Sequence, residues 1–170
     1  GAHVAISGGG RDRDRLQRMA GRLGRLGRVY ARDLAGRIPE TRLVAVADPA
    51  GTLAKDVAAE LDVPHAYADA TALIDDPSVD AVVIATPTHV HRENVLAAAD
   101  RKKPTFCEKP LAANLDETIA LAADIDAAGV PFQLGFQRRF DPAYREVHRL
   151  VHSGELGTLY AVRLAGHDPE

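Results

Sequence analysis

Short β-branched apolar runs alternate along this chain with longer Ala/Leu-rich segments whose apolar residues recur at helical spacing. Leu43-Val44-Ala45-Val46-Ala47, closed by Asp48-Pro49, reads as a strand buried on both faces, as in a parallel sheet. Thr52 is placed to cap a helix through about Leu61, with Leu53, Val57, Ala58 and Leu61 on one face. His65-Ala66-Tyr67 is a weaker strand, and Asp69 to Ile74 a short helix broken by Asp75-Asp76-Pro77. Asp80-Ala81-Val82-Val83-Ile84-Ala85 is the clearest strand and stops at Thr86-Pro87-Thr88, before a helix from about Arg92 to Arg101. Pro104-Thr105-Phe106-Cys107 is a strand running into Glu108-Lys109-Pro110. Asn114 or Asp116 starts a long helix that stops at Gly129, with Pro131 just beyond. Phe132 to Phe136 is another strand, and Asp141-Pro142 opens a helix ending near Ser153-Gly154. Gly157 to Leu164 reads as one more strand.

Strands alternating with helices of ten or more residues imply βαβ crossovers and a parallel sheet. The helix and strand after Asp141 read as the start of a second domain that is mostly missing, since one strand cannot bury itself alone. Earlier, Gly21, Gly24 and Gly27 precede a helical segment from Val29 to about Ala35. Glycines at such a turn let the backbone approach a phosphate, but this spacing is G-x-x-G-x-x-G, and the residues just before it do not read as a strand.

Composition narrows the picture. The net charge of −3 calls for neither a nucleic-acid nor a membrane partner. The nine arginines and three aspartates between Arg11 and Arg37 read as a solvated face. Cys107 is the only cysteine, which excludes an intrachain disulfide and fits a reducing compartment; with no secretory pattern, a cytoplasmic location is expected. Within a strand, Cys107 reads as a buried core thiol rather than a nucleophile. His89 with His91, and His148 with His152, have chelating spacings but no third ligand, so no metal site is expected.

In an open α/β sheet, ligands bind beyond the carboxyl ends of the strands. Polar groups gather at those ends here: Asp48, then Thr86, Thr88 and His89, then Glu108 and Lys109, then Gln137. A carboxylate at Asp48 can accept hydrogen bonds from both adenosine ribose hydroxyls and would repel a 2′-phosphate, and no arginine immediately follows, which favours NAD over NADP. Lys109, if partly desolvated, loses proton affinity and can donate to or polarise a substrate hydroxyl. Pro110 bars Lys109 from helical backbone, and a cis Lys109-Pro110 bond is expected in so tight a turn. Taken singly, each of these groups is an ordinary turn residue; together they outline a site.

The order of LVAVADP (43–49), VVIATPTHVHRENV (82–95), FCEKPLA (106–112) and GFQRRFDPAY (135–144) leading into SGELG (153–157) resembles the glucose–fructose oxidoreductase and inositol 2-dehydrogenase family, from about Gly24 to His167. The resemblance implies a Rossmann-type doubly wound parallel sheet over residues 23–140, joined to an α/β substrate domain of which residues 141–170 are the incomplete start. It implies an NAD-dependent dehydrogenase that oxidises a secondary hydroxyl of a sugar or cyclitol, with a homo-oligomeric parent. By position, the backbone at Gly24, Arg25 and Leu26 would hold the pyrophosphate and Asp48 the adenosine ribose. Thr86, Pro87, Thr88 and His89 would lie along the cofactor, and Glu108 by the nicotinamide ribose. Lys109 would meet the reacting hydroxyl as the catalytic lysine, and Gln137 would sit near the nicotinamide.

Two departures qualify these expectations. The family runs a strand directly into G-x-G-R-x-G, whereas Arg22 stands here at the first glycine and residues 1–22 are atypical. Either His3 to Ser7 is the first strand, with a basic insertion after it, or the first ~22 residues are foreign to the fold. Val4, Ala5 and Ile6 are the residues able to fill the central sheet position. The family's catalytic histidine and aspartate belong to the second domain, and His167-Asp168 falls too early to supply them. Little activity is therefore expected of this chain alone. A non-catalytic nucleotide-binding fragment, or a fragment of an NAD-retaining glycosidase, are the other readings.

Overall fold

The computed structural model describes residues 2–7 and 24–165. It divides into two compact units, Gly1–Gly135 and Phe136–Glu170.

The first unit is a six-stranded parallel sheet with helices on both faces. Its elements are β1 (Ala2–Ser7), α1 (Arg25–Gly36), β2 (Thr41–Ala47), α2 (Gly51–Leu61), β3 (His65–Tyr67), α3 (Ala70–Asp75), β4 (Ala81–Ile84), α4 (His91–Asp100), β5 (Thr105–Glu108), α5 (Leu115–Ala128) and β6 (Phe132–Gly135). The strand order is β3-β2-β1-β4-β5-β6. The chain thus winds outward from β1 in two directions and reverses between β1 and β4, the doubly wound arrangement. The strand Ala2–Ser7 fills the central position, with Ser7 in register with Ala47 of β2 and with Ile84 of β4. The glycines at 8–10, Gly21 and Arg22 lie outside the described residues.

Burial explains which runs became strands. Leu43 to Ala47 is buried without interruption, because α1 and α2 cover one face of β2 and a second helical layer covers the other. Ala31, Leu34, Val46, Ala54 and Val57 form the core on one side; Leu73, Ile74, Ile84, Val95, Cys107 and Leu121 form it on the other. Each fully buried leucine or isoleucine there contributes roughly 1.5–3 kcal/mol.

Helix ends follow local chemistry, with two corrections to the expected pattern. Thr52 does not cap α2; Ala50 is the N-cap residue and makes no side-chain cap bond. Instead Asp48 closes the turn by accepting from the Ala50 N–H at 2.8 Å, so the helix begins at Gly51 and takes Thr52 into its first turn. Helix α1 begins at Arg25, not Val29, so Gly24 to Leu26 sit at its N-terminus. Asn114, rather than Asp116, caps α5, and Gly129 ends it at φ 64°. The Lys109-Pro110 bond is cis.

The second unit holds a 3₁₀ turn (Gln137–Phe140) and α6 (Pro142–Ser153), whose cap is Asp141 with Pro142 in the first turn. Gly157 to Leu164 forms no strand. Its alternation is that of a strand, but a strand exists only by pairing its backbone groups, and no described segment pairs with it. Helix α6 buries no residue, and Val147 and Val151 on it are exposed.

Candidate functional site

The sheet register brings the expected residues of the first unit to one edge. Ala47, Ser7, Ile84, Cys107 and Leu134 form one row across β2, β1, β4, β5 and β6. The next residues along are Asp48 after β2, Ala85 and Thr86 after β4, and Glu108 beside Gly135 at the ends of β5 and β6. Asp48 and Glu108 are three strand spacings apart, roughly 14 Å.

At the β2 end, Asp48 is 5% exposed. Burial raises its pKa above the ordinary 3.8, partly offset by the Ala50 N–H bond. That bond engages one carboxylate oxygen. At the head of α1, Gly24 is the N-cap residue and makes no side-chain cap bond; first-turn N–H groups have no acceptor within their own helix.

At the β4 end, Thr86 and Pro87 lead into a 3₁₀ turn, Thr88–Val90, and then α4. Among the described residues, the buried Thr86 hydroxyl oxygen has no hydrogen-bond partner. A buried unsatisfied hydroxyl is costly, so it calls for one. Thr88 is half-buried and His89 exposed.

At the β5 end, Glu108 is 7% exposed. One of its oxygens accepts from the Tyr30 hydroxyl of α1, the other from the Lys109 N–H at 3.1 Å. Gly135 makes room for it: a Cβ there would stand 3.0 Å from Glu108 Oε1 and 3.0 Å from Phe106 Cζ. Lys109 itself is exposed. Its expected desolvation is therefore not supplied by this unit. Gln137 opens the 3₁₀ turn of the second unit and is exposed.

Sequence reading missed two residues of this edge. His91, 1% exposed, has Nε2 2.8 Å from the Thr86 carbonyl oxygen and Nδ1 2.8 Å from that of Pro110. It thereby ties the β4 turn to the cis-proline turn. The informative signal is that His91 starts a helix immediately after the Thr-Pro turn. The other is Tyr30, whose ring packs edge-on against Phe106 at 5.4 Å between centroids. Its partner Glu108 lies 78 residues away, beyond any local pattern.

Other candidates recede. Cys107 is fully buried, and burial, then the Glu108 charge, push its thiol up to about 12, so it stays protonated at neutral pH. The rings of His148 and His152 stack 3.9 Å apart on α6. Among the described residues, no group of three His, Cys, Asp or Glu is placed to hold a metal ion, and no helix is long and apolar enough to cross a membrane. Arg28 and Arg32 of the basic stretch pair with Glu60 of α2.

A reversed strand order with polar groups along the carboxyl edge defines a nucleotide-binding domain of Rossmann type. The chain belongs to the oxidoreductase family with an NAD-binding Rossmann fold, whose model matches residues 19–136. Among curated proteins it is similar to the scyllo-inositol 2-dehydrogenase (NAD(+)) of Bacillus subtilis, 42% identical over 135 residues, covering 79% of this chain and 40% of that protein. It is 36% identical over 147 residues to the myo-inositol 2-dehydrogenase of Thermotoga maritima, covering 86% of this chain and 44% of that one. Among solved structures it matches a scyllo-inositol dehydrogenase from Lactobacillus casei with bound NAD(H) and scyllo-inositol, at TM-score 0.77 and 28% identity, covering 90% of this chain and 42% of that one. The chain thus spans about two fifths of the length of the relatives it matches.

Proposed function

We propose that this chain is the NAD-binding portion of a dehydrogenase that oxidises a secondary hydroxyl of an inositol or related sugar. The observation that carries the reading is the row of polar groups along one sheet edge, spanning the reversal between β1 and β4. The residues present fit a dinucleotide. Asp48 has an oxygen left for the adenosine ribose hydroxyls, and the backbone at Gly24, Arg25 and Leu26 offers donors to the pyrophosphate. The Thr86 hydroxyl, unpartnered among the described residues, lies farther along with Pro87, Thr88 and His89, and Glu108 and Lys109 form the far wall. A nicotinamide cofactor held there would supply the hydride acceptor. Lys109, in the turn that follows β5, meets the reacting hydroxyl. The relatives named as inositol dehydrogenases support a cyclitol as substrate.

Calorimetric titration of the chain with NAD and with NADP tests the reading. Binding of NAD, tighter than NADP because the buried Asp48 carboxylate repels a 2′-phosphate, is the expected result. Failure to bind either dinucleotide would overturn it.

A further inference from the structure

Helix α1 would present its N-terminus to the pyrophosphate, yet its second turn also reaches the opposite end of the cleft through Tyr30. The Tyr30 hydroxyl donates to Glu108 Oε1 while the Lys109 N–H donates to Oε2. The phenol ring is half-buried, edge-on to Phe106, and Phe106 and Gly135 box the same carboxylate from the strand side. Glu108 is thus clamped on both oxygens by a helix and by its own turn. Each carboxylate oxygen keeps a further lone pair for a ligand hydroxyl. A carboxylate can accept from a ribose hydroxyl without reorganising only if its direction is set beforehand.

We infer that Tyr30 is a positioning residue of the cofactor site: its hydroxyl orients the Glu108 carboxylate toward the nicotinamide half of the dinucleotide and so couples the phosphate-binding helix to the wall that carries Lys109. The inference rests on the NAD-binding reading above. Burial, then the hydrogen bond and charge of Glu108, raise the pKa of the Tyr30 phenol, which keeps it a donor at any physiological pH. Tyr30→Phe removes that donor and leaves the ring on Phe106, so the packing survives.

The test uses the chain titrated with NAD and with AMP, which occupies the adenosine half alone. Tyr30→Phe weakens NAD by about fivefold or more, the loss of one hydrogen bond to a charged group, and changes AMP by less than twofold. In a Glu108→Ala background the same substitution has no further effect on NAD, because it acts through the carboxylate. A second measurement needs no ligand: with ¹³C-labelled tyrosine, the Tyr30 phenol titrates at lower pH in Glu108→Gln than in the parent chain, and it serves if Glu108→Ala does not fold. Unchanged NAD binding in Tyr30→Phe, equal weakening of NAD and AMP, or an undiminished effect in the Glu108→Ala background overturns the inference. So does a Tyr30 titration indifferent to Glu108. If the parent chain binds no NAD, the functional reading fails and this one with it, even where the titration still reports the Tyr30–Glu108 contact.

Discussion

Asp48 and Glu108 are both buried carboxylates on the same edge of one sheet, but they are held in opposite ways. Asp48 closes its own turn through the Ala50 N–H two residues on, with a contact local in sequence. Glu108 is held across the fold, by a hydroxyl from α1 and its neighbouring N–H, in a space that Gly135 keeps open. The β2 end is therefore a self-sufficient turn. The far end depends on tertiary contacts: β4, β5, β6, α1 and α4 must all be in place before its carboxylate and the following lysine are set.

The largest break in that comparison is expected at His91. Replacing it with phenylalanine fills the same buried space but leaves the Thr86 and Pro110 carbonyls without their ring partner. A buried acceptor left without its donor costs about 1–3 kcal/mol, and the ring's other contact adds to that, so His91→Phe should lower unfolding stability by about 2–3 kcal/mol in urea denaturation. Because both tied turns belong to the far half of the edge, NAD binding should fall while AMP binding by the still-folded protein is retained. Equal loss of NAD and AMP affinity would show that the two ends are not independent.

A pair of glycines sharpens the contrast at smaller scale. Gly135→Ala drives a Cβ against Glu108 and Phe106, and should cost about 1–3 kcal/mol as an overpacked site. At the other end of the edge, Gly51→Ala meets only the Ala68 methyl at 3.3 Å in the first turn of α2. It should change stability by no more than about 0.5 kcal/mol. Thermal denaturation of both variants measures the difference, and similar costs would contradict the picture of a tight far end and a tolerant near end.

The same division separates what was legible in the sequence from what was not. Leu43 to Ala47 and Val82 to Ile84 could be read as strands because central parallel strands are buried on both faces, which leaves a continuous apolar run. Asp48, Thr86 and Glu108 could be read as an edge because each directly follows such a run. Tyr30 and His91 could not be assigned their contacts, since these join elements far apart in sequence or use backbone carbonyls that no pattern marks. The same limit explains Gly157 to Leu164: alternation is local, whereas pairing requires a partner strand. The offset at Thr52 has a third cause: Asp48 accepts from the Ala50 N–H and closes the turn before the helix, which starts at Gly51 and takes Thr52 into its first turn. His3 to Ser7 is readable as a strand-like run, but the sequence leaves open whether it belongs to the fold, because the place of Ala2–Ser7 in the sheet depends on tertiary pairing with β2 and β4 rather than on the residues that follow it.

The mildest substitution probes the self-sufficient end. Asp48→Asn keeps an oxygen for the Ala50 N–H, so α2 should start unchanged, while the charge is lost. Removing a charged acceptor for the ribose should weaken NAD about tenfold, roughly 1.4 kcal/mol, and narrow the preference over NADP. Stability should move the other way. The folded pKa of Asp48 is raised by burial, so the folded state holds this proton more tightly than the unfolded chain. Its charge therefore costs no stability below the ordinary value of 3.8, costs progressively more as pH rises from there through the raised folded pKa, and costs a constant amount above it. Asp48→Asn should accordingly be more stable than the parent at neutral pH and no more stable in strong acid. NAD binding by the parent should weaken as pH falls through the raised pKa, where the carboxylate becomes a carboxyl, and the asparagine variant should lose that dependence. A carboxylate that costs stability at neutral pH yet strengthens binding there is one kept for its ligand. Urea midpoints and NAD titrations of both proteins across that pH range decide it: a parent more stable than the variant at neutral pH, or NAD binding equally pH-dependent in both, would assign Asp48 to the turn alone.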